Sequence, residues 1–306
     1  MKTVKWGSSA REVPVIAVGC MRMCDVPVQQ VAELMELAVE RGVNFFDHAD
    51  IYGGGECERA FSKAFRLCSV KREDIFLQTK CGIVPGKMYD FSKEHIVKSV
   101  EDSLKRLDTD YLDALLLHRP DALCEPEEIA ETFEQLERDG KVRYFGVSNH
   151  TPMQIELLKK YVRQPIMANQ MQFGAAHASM VRSGMEANML TEGAVDRDGG
   201  VLDYCRLHDI TLQTWSPFQY GMFEGVFLKS EKYTKLNHKI DEIAQKYGVA
   251  NTSIAVAWIL RHPADMQVLS GTMNLSRFED VCRGAQIRLT REEWYEIYLA
   301  AGNLLP

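Results

Sequence analysis

The fold is most easily recognised from the sequence GVNFFDHADIYGGG, residues 42–55. It follows an amphipathic helical pattern and opens on Gly42, a residue suited to a helix C-cap. Residues 43–46 predict a short buried strand, after which Asp47 stands at the strand end and Tyr52 in a polar, glycine-rich loop. A helix, a buried strand and a polar loop make one unit of an alternating α/β protein, and such loops often carry reactive groups. Taken alone, the pattern equally suits a turn cap at Asp47 and a packed ring at Tyr52.

The same alternation of strand and helix recurs along the chain. The predicted strands are residues 15–18, 43–46, 75–78, 111–117, 142–147, 166–169, 210–214 and 266–269. The predicted helices are residues 27–41, 57–67, 93–107, 126–139, 151–161, 201–208, 239–247, 252–261, 276–283 and 291–301. Eight such units predict a single-domain α/β protein, a (β/α)8 TIM barrel over residues 1–306, with an N-terminal hairpin and extra C-terminal helices. No G-x-G-x-x-G follows the first strand, which argues against a Rossmann fold.

Two stretches, residues 171–200 and 218–237, break the pattern and are predicted to be irregular. Their Met, Phe and Tyr content favours an adaptable, partly apolar rim at the mouth of a site. The same composition is equally consistent with a surface flap or a subunit contact.

The composition limits the function classes. The chain has 306 residues, 46% of them hydrophobic, and a net charge of −7 without a basic block, so neither a nucleic-acid surface nor an anionic-membrane surface is expected. No apolar run would span a bilayer, and the N-terminus lacks a signal-peptide core. The eight cysteines form no C-x-x-C pair, which favours reduced thiols and a cytoplasmic location. The oligomeric state is left open.

The candidate chemistry lies at the ends of three consecutive predicted strands. Asp47 and Tyr52 follow the second strand, Lys80 the third and His118 the fourth. Enzymes on this fold place their sites at the C-terminal ends of the strands. Each residue alone has a structural explanation, but a carboxylate, a phenol, an amine and an imidazole that converge on one face predict a catalytic site.

Four motifs resemble the aldo-keto reductase superfamily. They are the D-x-A-x-x-Y of residues 47–52, the T-K of residues 79–80, the L-L-L-H-R-P-D of residues 115–121 and the G-V-S-N of residues 146–149. They occur in the family's order, and the resemblance extends from residue 19 to about residue 280. The segments D-H-A-D-I-Y-G and C-G-I are most similar to those of the bacterial YdhF-like oxidoreductases.

The resemblance implies NADPH-dependent reduction of an aldehyde or ketone to an alcohol by hydride transfer. Tyr52 would be the general acid. A free phenol has a pKa of about 10, and a neighbouring ammonium at Lys80 is expected to lower it. Asp47 would keep Lys80 charged and oriented, and His118 would position the carbonyl oxygen as a neutral ring.

The resemblance also implies a nicotinamide dinucleotide site. The residues with implied roles are Gly19, Cys20, Met21 and Arg22 beside the ribose; Ser148, Asn149 and Gln170 on the carboxamide; Trp215 stacked on the nicotinamide; Ser216 and Phe218 along the pyrophosphate; Gly271, Thr272 and Asn274 at a phosphate; Arg277 on the 2′-phosphate; and Asp280 near the adenine. Arg277 favours NADP over NAD, although Gly271 replaces a lysine that some family members use for the same phosphate. Trp215 stands where the family commonly has Tyr.

Other readings of the same residues remain open. One is a cofactor-binding regulatory or redox-sensing subunit with little turnover, and another is a Schiff-base enzyme that uses Lys80 as its nucleophile. His48 and Asp50 have no third ligand at a convincing spacing, so no metal site is predicted. Cys81 is expected to be a packed structural thiol. The expected partner is a small carbonyl or alcohol substrate.

Overall fold

The computed structural model describes residues 1–305 and contains eight parallel strands closed into a barrel. We number the barrel strands β1 (Ile16–Gly19), β2 (Phe45–Asp47), β3 (Phe76–Cys81), β4 (Leu112–Leu117), β5 (Val142–Ser148), β6 (Ile166–Gln172), β7 (Thr211–Trp215) and β8 (Gln267–Ser270). Neighbours in sequence are neighbours in the barrel, and β8 pairs with β1 to close it. The predicted TIM barrel is therefore confirmed. Pro306, the last residue of the predicted domain, lies outside the described residues.

Eleven α-helices occur within residues 1–305. They are α1 (Val28–Glu40), α2 (Glu56–Phe65), α3 (Lys93–Leu107), α4 (Pro126–Arg138), α5 (Pro152–Lys159), α6 (Ser179–Met185), α7 (Val201–Leu207), α8 (Thr234–Tyr247), α9 (Asn251–Leu260), α10 (Leu275–Gly284) and α11 (Arg291–Ala300). No helix among these residues is both long and apolar enough to cross a membrane.

Two predictions about the irregular stretches were wrong in part. Residues 171–200 contain the helix α6, which has only seven residues, no side-chain cap and Gly184 near its end, so its local signal is weak. The helix predicted to begin at residue 239 begins at Thr234, after a short 3₁₀ turn at Glu231–Tyr233. Residues 218–226 form a small hairpin, with Gln219–Tyr220 paired to Gly225–Val226.

Several helix starts are fixed by local side-chain hydrogen bonds. Ser92 accepts one from the backbone N–H of His95 at the start of α3, as predicted. Thr151 and Gln154 form a capping box ahead of α5, which begins at Pro152. These hydrogen bonds satisfy backbone N–H groups in the first turns of α3 and α5, which have no partner within the helix.

The predicted N-terminal hairpin pairs Thr3–Lys5 with Glu12–Pro14. Trp6, fully buried at its turn, packs against Phe45 and Phe76, with ring centroids 5.4 and 5.2 Å away. Phe45 begins β2 and Phe76 begins β3, so the hairpin covers the end of the barrel opposite the strand C-termini.

The barrel interior contains glutamine side chains where branched apolar residues are usual. Gln267 donates to the carbonyl of Pro14 at 2.7 Å, and Gln213 donates to Gln267 at 2.8 Å. Gln78 and Gln170 in turn donate to Gln213 at 3.0 and 3.1 Å. These four amides are buried, and they connect the hairpin end of the barrel with its C-terminal end.

Candidate active site

A buried ion pair lies at the C-terminal ends of β2 and β3. The Lys80 Nζ donates to both carboxylate oxygens of Asp47, each at 2.8 Å, and to the backbone carbonyl of His48 at 2.6 Å. Gln78 and Gln170 also donate to the Asp47 Oδ1, at 2.5 and 3.1 Å. Burial lowers the pKa of Lys80, but Asp47 and Tyr52 together raise it by more, so the net shift is upward. Lys80 is therefore held as an ammonium inside the barrel.

Tyr52 lies in the loop between β2 and α2, beside this ammonium. The Lys80 Nζ is 5.0 Å from the centroid of the phenol ring. Burial raises the pKa of Tyr52, Lys80 lowers it, and the net result is above the ordinary value. The expectation that Lys80 lowers this pKa is therefore correct in sign for Lys80 alone but wrong for the net shift, because desolvation of the tyrosinate is the larger effect.

His118 faces Tyr52 from the C-terminal end of β4. The two ring centroids are 6.1 Å apart and the rings are nearly perpendicular. Burial, together with the nearby charges of Lys80 and Arg119, lowers the pKa of His118 to about 2. The ring is therefore neutral at physiological pH. All four residues predicted to converge do lie at this end of the barrel.

The three residues implied to bind the carboxamide form one hydrogen-bonded group with Trp215. Ser148 donates to the backbone carbonyl of Gln170 at 3.0 Å, and Asn149 donates from its Nδ2 to the Ser148 hydroxyl at 2.8 Å. The Trp215 indole N–H donates to the Asn149 Oδ1 at 3.2 Å. Asn149 and Ser216 have φ angles of 59° and 49°, in the left-handed region that is uncommon for residues other than glycine. Phe218 follows in the same loop, partly buried against the core.

The residues implied to hold the ribose and phosphates lie between β1 and α10. The Arg22 guanidinium donates to the Gly271 carbonyl at 3.2 Å. Gly19 neighbours Gly271, and a Cβ at Gly19 would make an ordinary van der Waals contact of 3.5 Å with the Gly271 backbone. Cys20 is fully buried and its backbone N–H donates to the Asp47 carbonyl at 2.9 Å, while Met21 is partly exposed.

At the start of α10, Asn274 accepts from the backbone N–H of Arg277 at 2.9 Å, and the Thr272 hydroxyl accepts from that of Asn274 at 3.2 Å. The Arg277 side chain is exposed and, within residues 1–305, makes no ion pair. Asp280, one turn on, lies 3.8 Å from Arg283. A free guanidinium beside a helix N-terminus fits a phosphate group.

Sequence reasoning missed several residues of this region. Arg119 extends over Trp215, with its guanidinium carbon 5.9 Å from the ring centroid. Gln78 supports Asp47, and Gln213 supports Gln78. Strand periodicity contains the signal, because Gln78 stands two residues before Lys80 and so shares its face of the strand.

Two further ionisable residues, His48 and Asp50, lie in the loop after β2. His48 is fully buried, packs edge-on against Phe61 and makes no side-chain hydrogen bond within residues 1–305. Burial and the charge of Lys80 lower its pKa to about 3. Burial, and then the nearby Glu58, raise the pKa of Asp50 to about 7.

Comparison with known proteins agrees with the barrel and with the motifs at its C-terminal end. A profile described as the Aldo/keto reductase family matches residues 15–300. The chain belongs to the aldo/keto reductase family. Members of this family are NAD(P)H-dependent oxidoreductases, so this aldo/keto reductase is an enzyme of that class.

Individual relatives cover nearly the whole length. The oxidoreductase YdhF of Escherichia coli is 30% identical over 92% of each chain, which confirms the resemblance to YdhF-like proteins. The 6-dehydroglucose reductase of Novosphingobium aromaticivorans is also 30% identical, over 98% of this chain and 96% of its own. The crystal structure of the thermostable aldo-keto reductase Tm1743, in complex with the inhibitor epalrestat, is similar with a TM-score of 0.78 and 26% identity, covering 98% of this chain and 100% of that one.

Proposed function

We propose that this aldo/keto reductase uses NADPH to reduce an aldehyde or ketone to an alcohol, with Tyr52 as the proton donor. The observation that carries the proposal is the buried Lys80–Asp47 pair beside the phenol ring. An ammonium fixed in a dry interior stabilises an adjacent tyrosinate far better than one in water.

When bound, the reduced nicotinamide supplies the hydride. Negative charge then develops on the carbonyl oxygen, and Tyr52 gives it a proton. Burial keeps Tyr52 protonated before reaction, while Lys80 favours the tyrosinate that proton donation leaves behind. His118, neutral because its pKa is about 2, can donate a hydrogen bond to the same oxygen and orient the carbonyl. Asp47 holds Lys80 in place and charged.

The residues around Trp215 are proposed to bind the nicotinamide end of the cofactor. The indole is fixed by its hydrogen bond to Asn149, so the ring is prepared to stack. The side-chain amide nitrogen of Gln170 is engaged by Asp47 and Gln213, which leaves its Oε1 as the acceptor for a carboxamide. Arg277 and the first turn of α10 are proposed to select NADPH through its 2′-phosphate.

The substrate is proposed to be a small polar carbonyl of sugar-like size. The name of the relative that reduces 6-dehydroglucose supports a sugar-derived carbonyl. The hairpin at residues 218–226 lies at the mouth, where Phe223 approaches Trp215 with ring centroids 5.9 Å apart. An aromatic wall suits the apolar face of a sugar ring, and Arg119 beside it offers donors for hydroxyl or carbonyl oxygens.

The test of this proposal is the variant Tyr52→Phe. We expect its kcat to fall by at least about 100-fold, since general acid catalysis contributes that much or more. Its affinity for NADPH, measured by quenching of tryptophan fluorescence, should change less than about twofold. Turnover would be followed by NADPH oxidation over a panel of aldehydes, ketones and oxidised sugars, repeated with NADH. Tyr161→Phe, on the exposed face after α5, is the matched control and should behave like the wild type. Wild-type turnover in Tyr52→Phe would exclude this mechanism.

A further inference from the structure

Two thiols meet immediately behind the loop that carries Tyr52. Cys24 belongs to the 3₁₀ turn Met23–Asp25 after β1, and Cys57 is the second residue of α2. Their Sγ atoms are 2.8 Å apart, about 0.8 Å more than a disulfide bond. The Cys57 thiol also donates to the backbone carbonyl of Met21 at 3.2 Å. The pair therefore joins the segment implied to contact the cofactor ribose to the helix that follows Tyr52.

The backbone at Gly53 is shaped around this pair. Gly53 directly follows Tyr52 and has a φ of 58°, a conformation that favours glycine. A Cβ on Gly53 would lie 2.6 Å from the Cys24 sulfur and 3.3 Å from the Cys57 sulfur. Both sulfurs thus lie beside the residue next to the phenol, so we expect a movement of the sulfurs to displace the Tyr52 loop.

We propose that Cys24 and Cys57 form a reversible disulfide that slows turnover, a modification site distinct from the residues of the reaction itself. The oxidant is a low-molecular-weight disulfide. The Cys24 thiolate attacks one of its sulfurs, forms a mixed disulfide and releases one small thiolate. The Cys57 thiolate then attacks the Cys24 sulfur, forms the internal disulfide and releases the second. The two protein sulfurs lose two electrons, the small disulfide gains them, and the two thiol protons pass to the released thiolates or to solvent.

The order of attack follows from exposure. Cys24 is partly exposed, whereas Cys57 is fully buried. Burial, followed by the hydrogen bond with Cys24, raises the pKa of the Cys57 thiol to about 12. Cys57 is therefore suited to the second, intramolecular step, in which proximity compensates for a small thiolate fraction. The reaction should be faster at pH 8.5 than at pH 7.

Disulfide formation should slow the enzyme because the sulfurs must move about 0.8 Å closer together beside Gly53. The resulting shift acts on Tyr52, one residue away, and a displaced catalytic group can lose much of its rate. The bond would also tie the β1 loop to the Tyr52 loop. This consequence rests on the proposed role of Tyr52, whereas the formation of the bond does not.

The experiment treats the reduced full-length protein with oxidised glutathione at pH 8.5 and follows its intact mass. We expect a loss of two hydrogen atoms and, after trypsin digestion without reduction, a link between peptides 23–41 and 42–59, each of which contains a single cysteine. The initial rate of NADPH oxidation should fall at least about threefold, and dithiothreitol should restore both mass and rate.

Cys24→Ser and Cys57→Ser should each prevent the linked peptides and the loss of rate, with folding checked by circular dichroism. Cys124→Ser, at another partly exposed cysteine, is the matched control and should still be oxidised.

An unchanged mass, or a stable glutathione adduct without the internal link, would overturn the proposal. A linked protein that keeps its full rate would overturn the regulatory effect. A failure of the proposed function would instead appear as absent turnover in the reduced enzyme, while the mass result would still stand.

Discussion

The charge of Lys80 depends on Asp47. Both side chains are buried, so water could not solvate either charge if its partner were removed. The exposed fractions of the two side chains are 0% and 2%. Removal of one partner from a buried pair leaves an unpaired charge and typically costs about 3–5 kcal/mol, whereas removal of both costs less. The pair therefore allows a structural role and a catalytic role to be separated.

We predict that Lys80→Met lowers the free energy of unfolding by about 3–5 kcal/mol and that adding Asp47→Asn recovers most of this loss. Turnover should remain at least about 100-fold below the wild type in both proteins, because the ammonium that stabilises the tyrosinate is absent. Urea unfolding and kcat measured on the same preparations would test this. If turnover returned together with stability in the double variant, Lys80 would have only a structural role.

Asp50 provides a pH-dependent contribution to stability. Its pKa rises from 3.8 to about 7 on folding, mainly through burial and then through Glu58. The unfolded chain loses this proton near pH 4, while the folded protein keeps it up to about pH 7. The stabilisation from the protonated form is therefore fully present below pH 4 and is lost as the pH rises from about 4 to 7.

We predict that the stability of the wild type relative to Asp50→Asn falls by about 2–3 kcal/mol between pH 5 and pH 8. The amide keeps the shape of the side chain but does not titrate. Asp265→Asn is the control, since Asp265 is exposed and its left-handed backbone also tolerates asparagine. Parallel pH profiles for the wild type and Asp50→Asn would contradict the prediction.

Among single residues, the sequence predicts those whose chemistry is unusual for their position. Asp47, Lys80 and His118 are polar residues at the ends of apolar strands, so their convergence follows from the barrel alone. The sequence does not predict the net shift in the pKa of Tyr52. This shift is the balance between desolvation and the charge of Lys80, and it therefore depends on how deeply the phenol is buried. The contact between Cys24 and Cys57, far apart in sequence, likewise depends on loop conformations that have no period.

At the level of elements, strong periodicity predicts the barrel strands and most helices, whereas α6 has only seven residues and no side-chain cap, so its pattern is too short to indicate a helix. Its ends are held by local contacts: Arg182 pairs with the buried Glu186 at 2.6 Å, and Glu186 also accepts a hydrogen bond from Thr191. These contacts depend on the position of Thr191 beyond the helix, which no hydrophobic period predicts. By contrast, α10 was expected from its sequence, and its first turn presents Arg277 to solvent.

We predict that Arg277→Gln raises the KM for NADPH by about tenfold and changes the KM for NADH by less than twofold, because one charged hydrogen bond to a phosphate contributes about 1.5–3 kcal/mol. The kcat should not change. Arg283→Gln, at an exposed position on the same helix, removes the same charge as a control. An equal increase in KM for NADPH and for NADH would show that Arg277 does not contact the 2′-phosphate.

For the molecule as a whole, a chain of hydrogen bonds between buried glutamine amides connects the two ends of the barrel. From the N-terminal hairpin, hydrogen bonds run from Pro14 through Gln267 and Gln213 to the two glutamines that hold Asp47. Strand predictions assign these positions to the interior but do not reveal the network, since each amide is satisfied only by partners on other strands. Stability and activity should therefore be coupled at the centre of this network.

We predict that Gln213→Leu lowers the free energy of unfolding by about 2–4 kcal/mol and also lowers kcat. The substitution removes the acceptor of Gln78 and Gln170 and leaves the Gln267 Oε1 without its donor. Leu212→Met, at the adjacent buried position on the opposite face of β7, is the control and should cost less than about 1.5 kcal/mol without an effect on kcat. Loss of stability with unchanged kcat would mean that Asp47 keeps its position without the network, and the coupling between the two ends would then be absent.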